Sequence, residues 1–257
     1  MELACLDGAV LPVAEALIPA TDAGLLRGDG VFEVVRLYDM RPYALGEHLA
    51  RMERSAANLR LPFDGAAVEA DARALLEAAE PRAEGVLRLV VTRGGRRLAL
   101  LEPLPETPPT LSLGLVEYVP TRVLDGIKSL SYAANMLATR LARERGFDEA
   151  LLVTPHGRVL EGPTSTFFAV LDGRLVTPSL DEHLLDSITR RRVLESVEVV
   201  EAPITVDALR SATGAALAST TREVQPVHHI EDIELDVNDA LLREAMERTR
   251  EVIAASL

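Results

Sequence analysis

Apolar and polar positions alternate in two rhythms along this chain, and both rhythms recur from end to end. Val31-Phe32-Glu33-Val34-Val35-Arg36-Leu37-Tyr38 is β-branched or aromatic with rough alternation, and Val86 to Thr92 is apolar and β-branched. Both runs predict strands. Between them Leu49, Met52, Ala56 and Leu59 recur at spacings of three and four, which predicts an amphipathic helix from Gly46 to Leu59 with Arg51 and Arg54 near its polar edge. A second helix is predicted over Ala66 to Ala79, and a short strand-turn-strand around Asp7-Gly8. The glycine-punctuated stretch Asp22 to Gly30 reads as a loop.

Further along, prolines at 103, 105, 108 and 109, and Pro120 after another strand, place the end of a first domain near residue 118. The expected division is residues 1–118, a linker 119–125, and a larger C-terminal domain 126–257. In the second part a helix runs from Ala133 to Arg145 and closes at Gly146, and strands cover Glu149–Thr154, Thr166–Leu171 and Arg174–Val176. Ser187 caps a helix from Ile188 to about Ser196, because its hydroxyl accepts from the free amides of the first turn. Strands and helices mix in both parts without an internal repeat, so the fold class is α/β or α+β in two domains.

Composition narrows the partners. With 257 residues, a net charge of -13 and a pI near 4.9, the composition argues against nucleic acid or an anionic membrane as a partner, since those need a basic patch. Cys5 is the single cysteine, which excludes a disulfide framework or a multi-thiolate metal site and suits a reducing compartment. An acidic Glu2 stands where a signal peptide carries basic residues, and no apolar run reaches the length of a membrane span, so a cytoplasmic protein is expected. His228 and His229 are adjacent, so on a strand they point apart, and His48, His156 and His183 show no ligand spacing; no metal is expected.

Lys128 changes the picture. It is the only lysine among 27 basic side chains. A bias toward arginine codons explains why the others are gone but not why one remains. Arginine cannot serve as an amine nucleophile, whereas a lysine amine can be tuned to react. Around it stand other candidates. Glu161 lies in Gly157-Arg158-Val159-Leu160-Glu161-Gly162-Pro163-Thr164-Ser165-Thr166, between two strands, and two hydroxyl-rich turns follow: Ser187-Ile188-Thr189 at a helix start, and Ser219-Thr220-Thr221 after an apolar strand. Singly, these are ordinary turns and caps. Together they form the set that a lysine-anchored pyridoxal 5′-phosphate needs: an amine, an acid partner for the pyridine nitrogen, and amides and hydroxyls for the phosphate.

The order of these segments resembles the fold-type IV, class IV aminotransferases, a family that includes branched-chain aminotransferases, D-amino acid aminotransferases and aminodeoxychorismate lyase. Gly28-Asp29-Gly30-Val31-Phe32-Glu33 resembles its GDGVFE strand, Glu47-His48-Leu49-Ala50-Arg51-Met52 its EHLxRL helix, and Ile127-Lys128-Ser129-Leu130 its IKSLN segment. Val159-Leu160-Glu161-Gly162 resembles VxEG, Ser187-Ile188-Thr189-Arg190 resembles GITR, and Ser219 to Val227 resembles STTSEITPV. The likeness covers roughly residues 3 to 230. It implies two domains with the active site at their interface, pyridoxal 5′-phosphate attached to Lys128, Glu161 at the pyridine nitrogen, and Arg51, Ile188, Thr189, Ser219 and Thr220 as further cofactor contacts. It implies ping-pong transfer of an amino group, with the freed Lys128 amine moving the proton. It also implies a homodimer in which a loop of one subunit enters the other's active site.

The chain departs from the family pattern at several points. EGxxSN reads EGPTST, with Thr166 for asparagine; IKSLN reads IKSLS, with Ser131; and Arg27 replaces the aromatic that precedes GDG. The arginine-x-histidine carboxylate clamp of D-amino acid aminotransferases is absent, and Leu98-Ala99-Leu100 stand near its place. Phe32-Glu33-Val34-Val35-Arg36 resembles the D-amino acid enzymes' YEVVK more than the branched-chain enzymes' FEGIR. Val86 to Gly94 resembles the lyase's VLKVVISRG. The expected activity is D-amino acid transamination, with the lyase and branched-chain activities as alternatives. Substrate contacts are expected from Phe32 and Thr221 and from a substitute clamp drawn from Arg27, Arg88, Arg96 and Arg97, since a guanidinium grips a carboxylate through paired hydrogen bonds. A solvated loop is an equal reading for Arg96 and Arg97, and ion pairing is the expected role of Arg36 and Arg93. Tyr132 is read equally as a cofactor neighbour or a core or dimer contact.

Overall fold

A computed structural model describes residues 2–257. The chain divides into two compact units, the first holding the residues up to Pro105 together with Gly126–Tyr132 and Ser256–Leu257, the second Glu106–Asp125 and Ala133–Ala255. In the first unit, in chain order, are β1 (Leu3–Leu6), β2 (Ala9–Pro12), α1 (Ala23–Arg27), β3 (Gly30–Tyr38), β4 (Arg41–Pro42), α2 (Leu45–Asn58), α3 (Gly65–Ala78), β5 (Glu84–Thr92) and β6 (Arg97–Glu102). The strands form one antiparallel sheet in the order β2-β1-β6-β5-β3-β4. Side chains alternate between faces along a strand. Val31, Val35 and Leu37 of β3 therefore join Leu87 and Leu89 of β5 in a core closed by Met52 and Ala56 of α2 and Val68 and Leu75 of α3. Phe32, Val34 and Arg36 take the other face.

Two expectations for this unit need correction. The stretch from Asp22 to Gly30 is not all loop: Asp22 caps the one-turn α1 by accepting from the Gly24 amide at 2.7 Å, and Gly28, at φ 65°, ends it in the left-handed region where glycine costs least. Arg51 is not at a polar edge but buried in α2, because it has a buried carboxylate to meet.

The second unit holds β7 (Leu111–Glu117), α4 (Ala133–Glu144), β8 (Glu149–Val153), β9 (Thr166–Leu171), β10 (Arg174–Thr177), α5 (Ile188–Ser196), β11 (Val200–Glu201), β12 (Gly214–Ser219), β13 (Glu223–Ile230), β14 (Ile233–Glu234) and α6 (Ala240–Ala255). Its eight-stranded sheet runs β11-β10-β9-β12-β13-β7-β8, with β14 on β13. Phe167, Leu217 and Val227 pack on one face, and Phe168, Ala216 and Val224 pack on the other against Val193 of α5 and Leu242 and Ala245 of α6. Burial on both faces explains the near-continuous apolar sequence of β12.

The division of the chain differs from the boundary expected at residue 118. β7 pairs in parallel with β13, Leu113 opposite Ile230, and with β8, Leu115 opposite Leu151, so it belongs to the second sheet. Residues 126–132 return to the first unit, where Val31 bridges to Ser129. The Phe32 amide donates to the Lys128 carbonyl at 3.2 Å and the Leu130 amide to the Gly30 carbonyl at 2.9 Å. His228 and His229 do not point apart: their rings meet edge to face at 5.0 Å, where the register shifts between Val227 and His229. Among the described residues no group of three His, Cys, Asp or Glu could hold a metal, and no helix is long and apolar enough to cross a membrane.

Candidate active site

In the first unit, backbone pairing on β3 fixes Lys128, whose own amide donates to the buried Ser55 hydroxyl of α2 at 3.1 Å. Its Nζ lies 4.5 Å from the centre of the Phe32 ring and 5.4 Å from that of Tyr132, and the two rings meet edge to face at 5.1 Å. Aromatic walls hold an amine in place and limit water around it. The geometry therefore gives Tyr132 a place beside the lysine.

A buried charge network stands on the helix-facing side of the same strand. Glu33 accepts from Arg51 Nε at 2.6 Å and Nη2 at 2.7 Å, and its Oε2 lies 2.7 Å from His48 Nδ1. Burial alone would raise the Glu33 pKa, but the charge and bonds of Arg51, with those of His48, pull it down to about 2. Burial lowers the His48 pKa, opposed by Glu33 and aided by the charges of Arg51 and Lys128. His48 is thus the neutral tautomer that donates from Nδ1, and its buried Nε2 has no protein partner.

The sign of the pH dependence follows. The unfolded chain binds a proton on His48 as pH falls through its ordinary value near 6.5, and the folded chain resists it, so stability present above 6.5 is lost below it. Glu33 adds a further loss as pH falls from 4.5 toward 2. Urea unfolding of His48→Asn at pH 7.5 and pH 5 is expected to show a smaller drop in stability than the parent protein; an equal drop would remove His48 from this role.

Three of the four candidate clamp arginines are ion-paired, and one of these, Arg88, also lies near the Phe32 ring. Arg88 pairs with Glu102 at 2.8 Å, and its guanidinium lies 6.0 Å from the Phe32 ring that Lys128 also faces. Arg96 is tied to Asp7 at 2.6 Å and Arg97 to Asp71 at 2.9 Å. Arg27 is exposed at the end of α1, next to Gly28, whose carbonyl accepts from Ser131 Oγ at 3.2 Å. Arg36 pairs with Glu84 and Arg93 with Asp29, each at 2.9 Å, in the roles expected of them.

In the second unit, Glu161 is half-buried, and its carbonyl accepts from the Leu152 amide at 2.9 Å. Burial raises the Tyr118 pKa and the nearby Glu161 charge raises it further, so a tyrosine that the sequence did not single out stands near this carboxylate. At the start of α5, Ser187 Oγ accepts from the Arg190 amide at 3.2 Å and leaves the Ile188 and Thr189 amides of the first turn without an intrahelical partner. β12 and β13 are joined by a three-residue turn, Thr220 to Arg222, with Glu223 at φ 57°. Ser219 Oγ, at the end of β12, and Thr221 Oγ1 of the turn lie 3.4 Å apart. Helix-start amides and a hydroxyl-bearing turn suit an anion. Within the second unit, a partly buried carboxylate and these donors are groups of the kinds that pyridoxal 5′-phosphate requires, and the first unit supplies an amine of the kind that anchors it.

A family model described as amino-transferase class IV matches residues 30–230. The chain belongs to the class IV aminotransferases. This aminotransferase is 33% identical over 252 residues to a Methanocaldococcus jannaschii protein provisionally named a branched-chain-amino-acid aminotransferase, a match covering 88% of this chain and 87% of that one. It is 31% identical over 248 residues to a D-alanine aminotransferase of Bacillus licheniformis, covering 88% of this chain and 87% of that protein. A hypothetical aminotransferase from Mycobacterium tuberculosis, solved in a PLP-bound form, superposes with a TM-score of 0.87 at 26% identity, covering 99% of this chain and 100% of that one. The fold is that of the fold-type IV transaminases, and the cofactor of the family is pyridoxal 5′-phosphate.

Proposed function

We propose that this class IV aminotransferase exchanges an amino group between a D-amino acid and a 2-keto acid, with Arg88 as the principal grip on the α-carboxylate. The carrying observation is the shared ring: Lys128 Nζ at 4.5 Å and the Arg88 guanidinium at 6.0 Å both address Phe32. A substrate whose carboxylate meets Arg88 presents its α-carbon toward the amine, and Arg27 is the second cation of the clamp. The D-alanine aminotransferase relative supports the substrate class. The relative named for branched-chain substrates supports L-amino acid transamination as a second reading.

When bound, pyridoxal 5′-phosphate supplies an electron-poor ring that accepts the electrons left when the substrate α-proton departs. The Lys128 amine would hold it and, as a free neutral amine, would take the proton from the substrate α-carbon and give it back. Phe32 and Tyr132 shield the amine from water. Glu161 keeps a proton on the pyridine nitrogen. The amides of Ile188 and Thr189, the hydroxyls of Thr189, Ser219 and Thr220, and the Arg51 charge hold the phosphate, while Thr221 faces substrate. Exposed Leu17, Leu25 and Leu26 in the first unit, and Val119 and Val123 in the second, support assembly as a homodimer. A cytoplasmic location belongs to the same reading.

The test is to mix the yellow enzyme separately with D-alanine, D-glutamate, L-leucine and L-glutamate and follow the visible band of the bound cofactor. Loss of the band with the D-acids alone is expected. Loss with the L-acids alone would overturn the reading in favour of branched-chain transamination, and no loss with any would point to the aminodeoxychorismate lyase reaction.

A further inference from the structure

Four buried polar atoms of the second unit have no protein partner and belong to side chains that the fold, not the sequence, brings together: Glu149 Oε1, Ser165 Oγ, Thr166 Oγ1 and Arg222 Nη1. Glu149 and Arg222 also form an ion pair with each other, Arg222 Nη2 on Glu149 Oε2, with side chains only 4% and 14% exposed. Such a pair is a poor device for stability, since apolar residues of the same volume often serve as well. Its value lies in what it connects.

Arg222 closes the turn that carries Ser219, Thr220 and Thr221, its amide donating to the Ser219 carbonyl at 3.2 Å. Glu149 opens β8, and its Oε1 lies 3.4 Å from the point where a side chain on Gly162 would begin. The same point is 2.4 Å from Ser165 Oγ, so Gly162 is bare because these groups crowd it. Gly162 directly follows Glu161. Thr166 pairs across the sheet with Ala218, one residue before Ser219.

We propose that Arg222 and Glu149 are positioning residues: their ion pair is a strut that fixes the phosphate-binding turn 219–221 relative to the turn bearing Glu161. This inference rests on the reading that both turns serve the cofactor. The strut sets how well one rigid molecule can be gripped at its phosphate and at its ring nitrogen together, and so acts on cofactor affinity and on the protonation of the bound ring.

The experiment titrates the full-length apo chain with pyridoxal 5′-phosphate and records the absorbance of the bound cofactor against pH. Arg222→Ser and Glu149→Gln are each expected to weaken binding at least tenfold and to shift the spectral titration, with Arg222→Lys recovering part of the loss. The double variant Glu149→Gln/Arg222→Ser removes both charges and leaves no unpaired ion, so it reports even where a single variant fails to fold. It is expected to bind as weakly as the worse single variant, since the two act as one unit. A double variant with parental affinity and spectrum overturns the strut, whatever its melting temperature. Ser219→Ala and Thr220→Ala separate the two levels. If they weaken binding and the double variant does not, only the strut fails; if they too leave binding unchanged, the reading of the turn fails with it.

Discussion

Exchanging Lys128 for alanine is expected to abolish transamination, with a fall in turnover of about 10⁴-fold or more, the upper range of what a positioned acid–base group contributes. The chain has no other lysine to take its place, and the surrounding arginines cannot supply a neutral amine at any working pH. Lys128→Arg is expected to be equally inactive, although it preserves the charge beside Phe32 and Tyr132. Borohydride reduction should fix the cofactor to the peptide containing residue 128 in the parent protein and to no peptide in either variant. Activity retained within tenfold of the parent would remove Lys128 from the chemistry.

Glu33→Ala is expected to be the most damaging single change to the first unit, costing about 3–5 kcal/mol of unfolding free energy. The cause is the charge left behind. Arg51 is buried in α2 with its fork on Glu33, and His48 donates to the same carboxylate, so the change strands one cation and one ring nitrogen away from water. The measurement is urea unfolding at pH 7.5 on the apo protein, followed by a signal from the first unit. A loss below about 1 kcal/mol would mean that water or backbone relaxation reaches Arg51 and that the network is not closed.

Much of this protein was legible in its sequence, and the reasons for the remainder are specific. The strands and helices that carry a clean period, β3, β5, α2, α3 and α5, lie within a residue or two of their expected bounds. The inner polar stripe of α2 was not seen because only apolar positions were counted. His48, Arg51 and Ser55 sit at the same three-and-four spacing as Met52 and Ala56, and all five are buried. α6 was missed for a related reason: buried Leu242, Ala245, Thr249 and Ile253 hold a helical spacing, but a threonine and many flanking charges dilute it. Prolines marked where the chain turns, not which sheet a strand joins. β7 belongs with β13, more than a hundred residues away, and no local signal carries that pairing.

The fate of the individual arginines was likewise hidden. Arg88, Arg96 and Arg97 look alike in sequence, and only the cross-strand register that brings Glu102 to the first, and the placement of Asp7 and Asp71 beside the others, tells them apart. Tyr118 carried no signal beyond its position at the end of a strand. The pairing of Glu149 with Arg222 joins residues 73 positions apart and needed the folded chain to be seen.

The return of residues 126–132 to β3 has a consequence for how the protein is made. A ribosome releases the chain from its N-terminus at about 5–20 residues per second, so the strands up to Glu102 emerge seconds before the segment that bridges to Val31. Until then one side of the start of β3 presents unpaired amides and carbonyls, an edge open to pairing with another chain. The amine-bearing segment thus doubles as the piece that seals this edge, and a nascent chain halted before Lys128 is both unreactive and prone to associate.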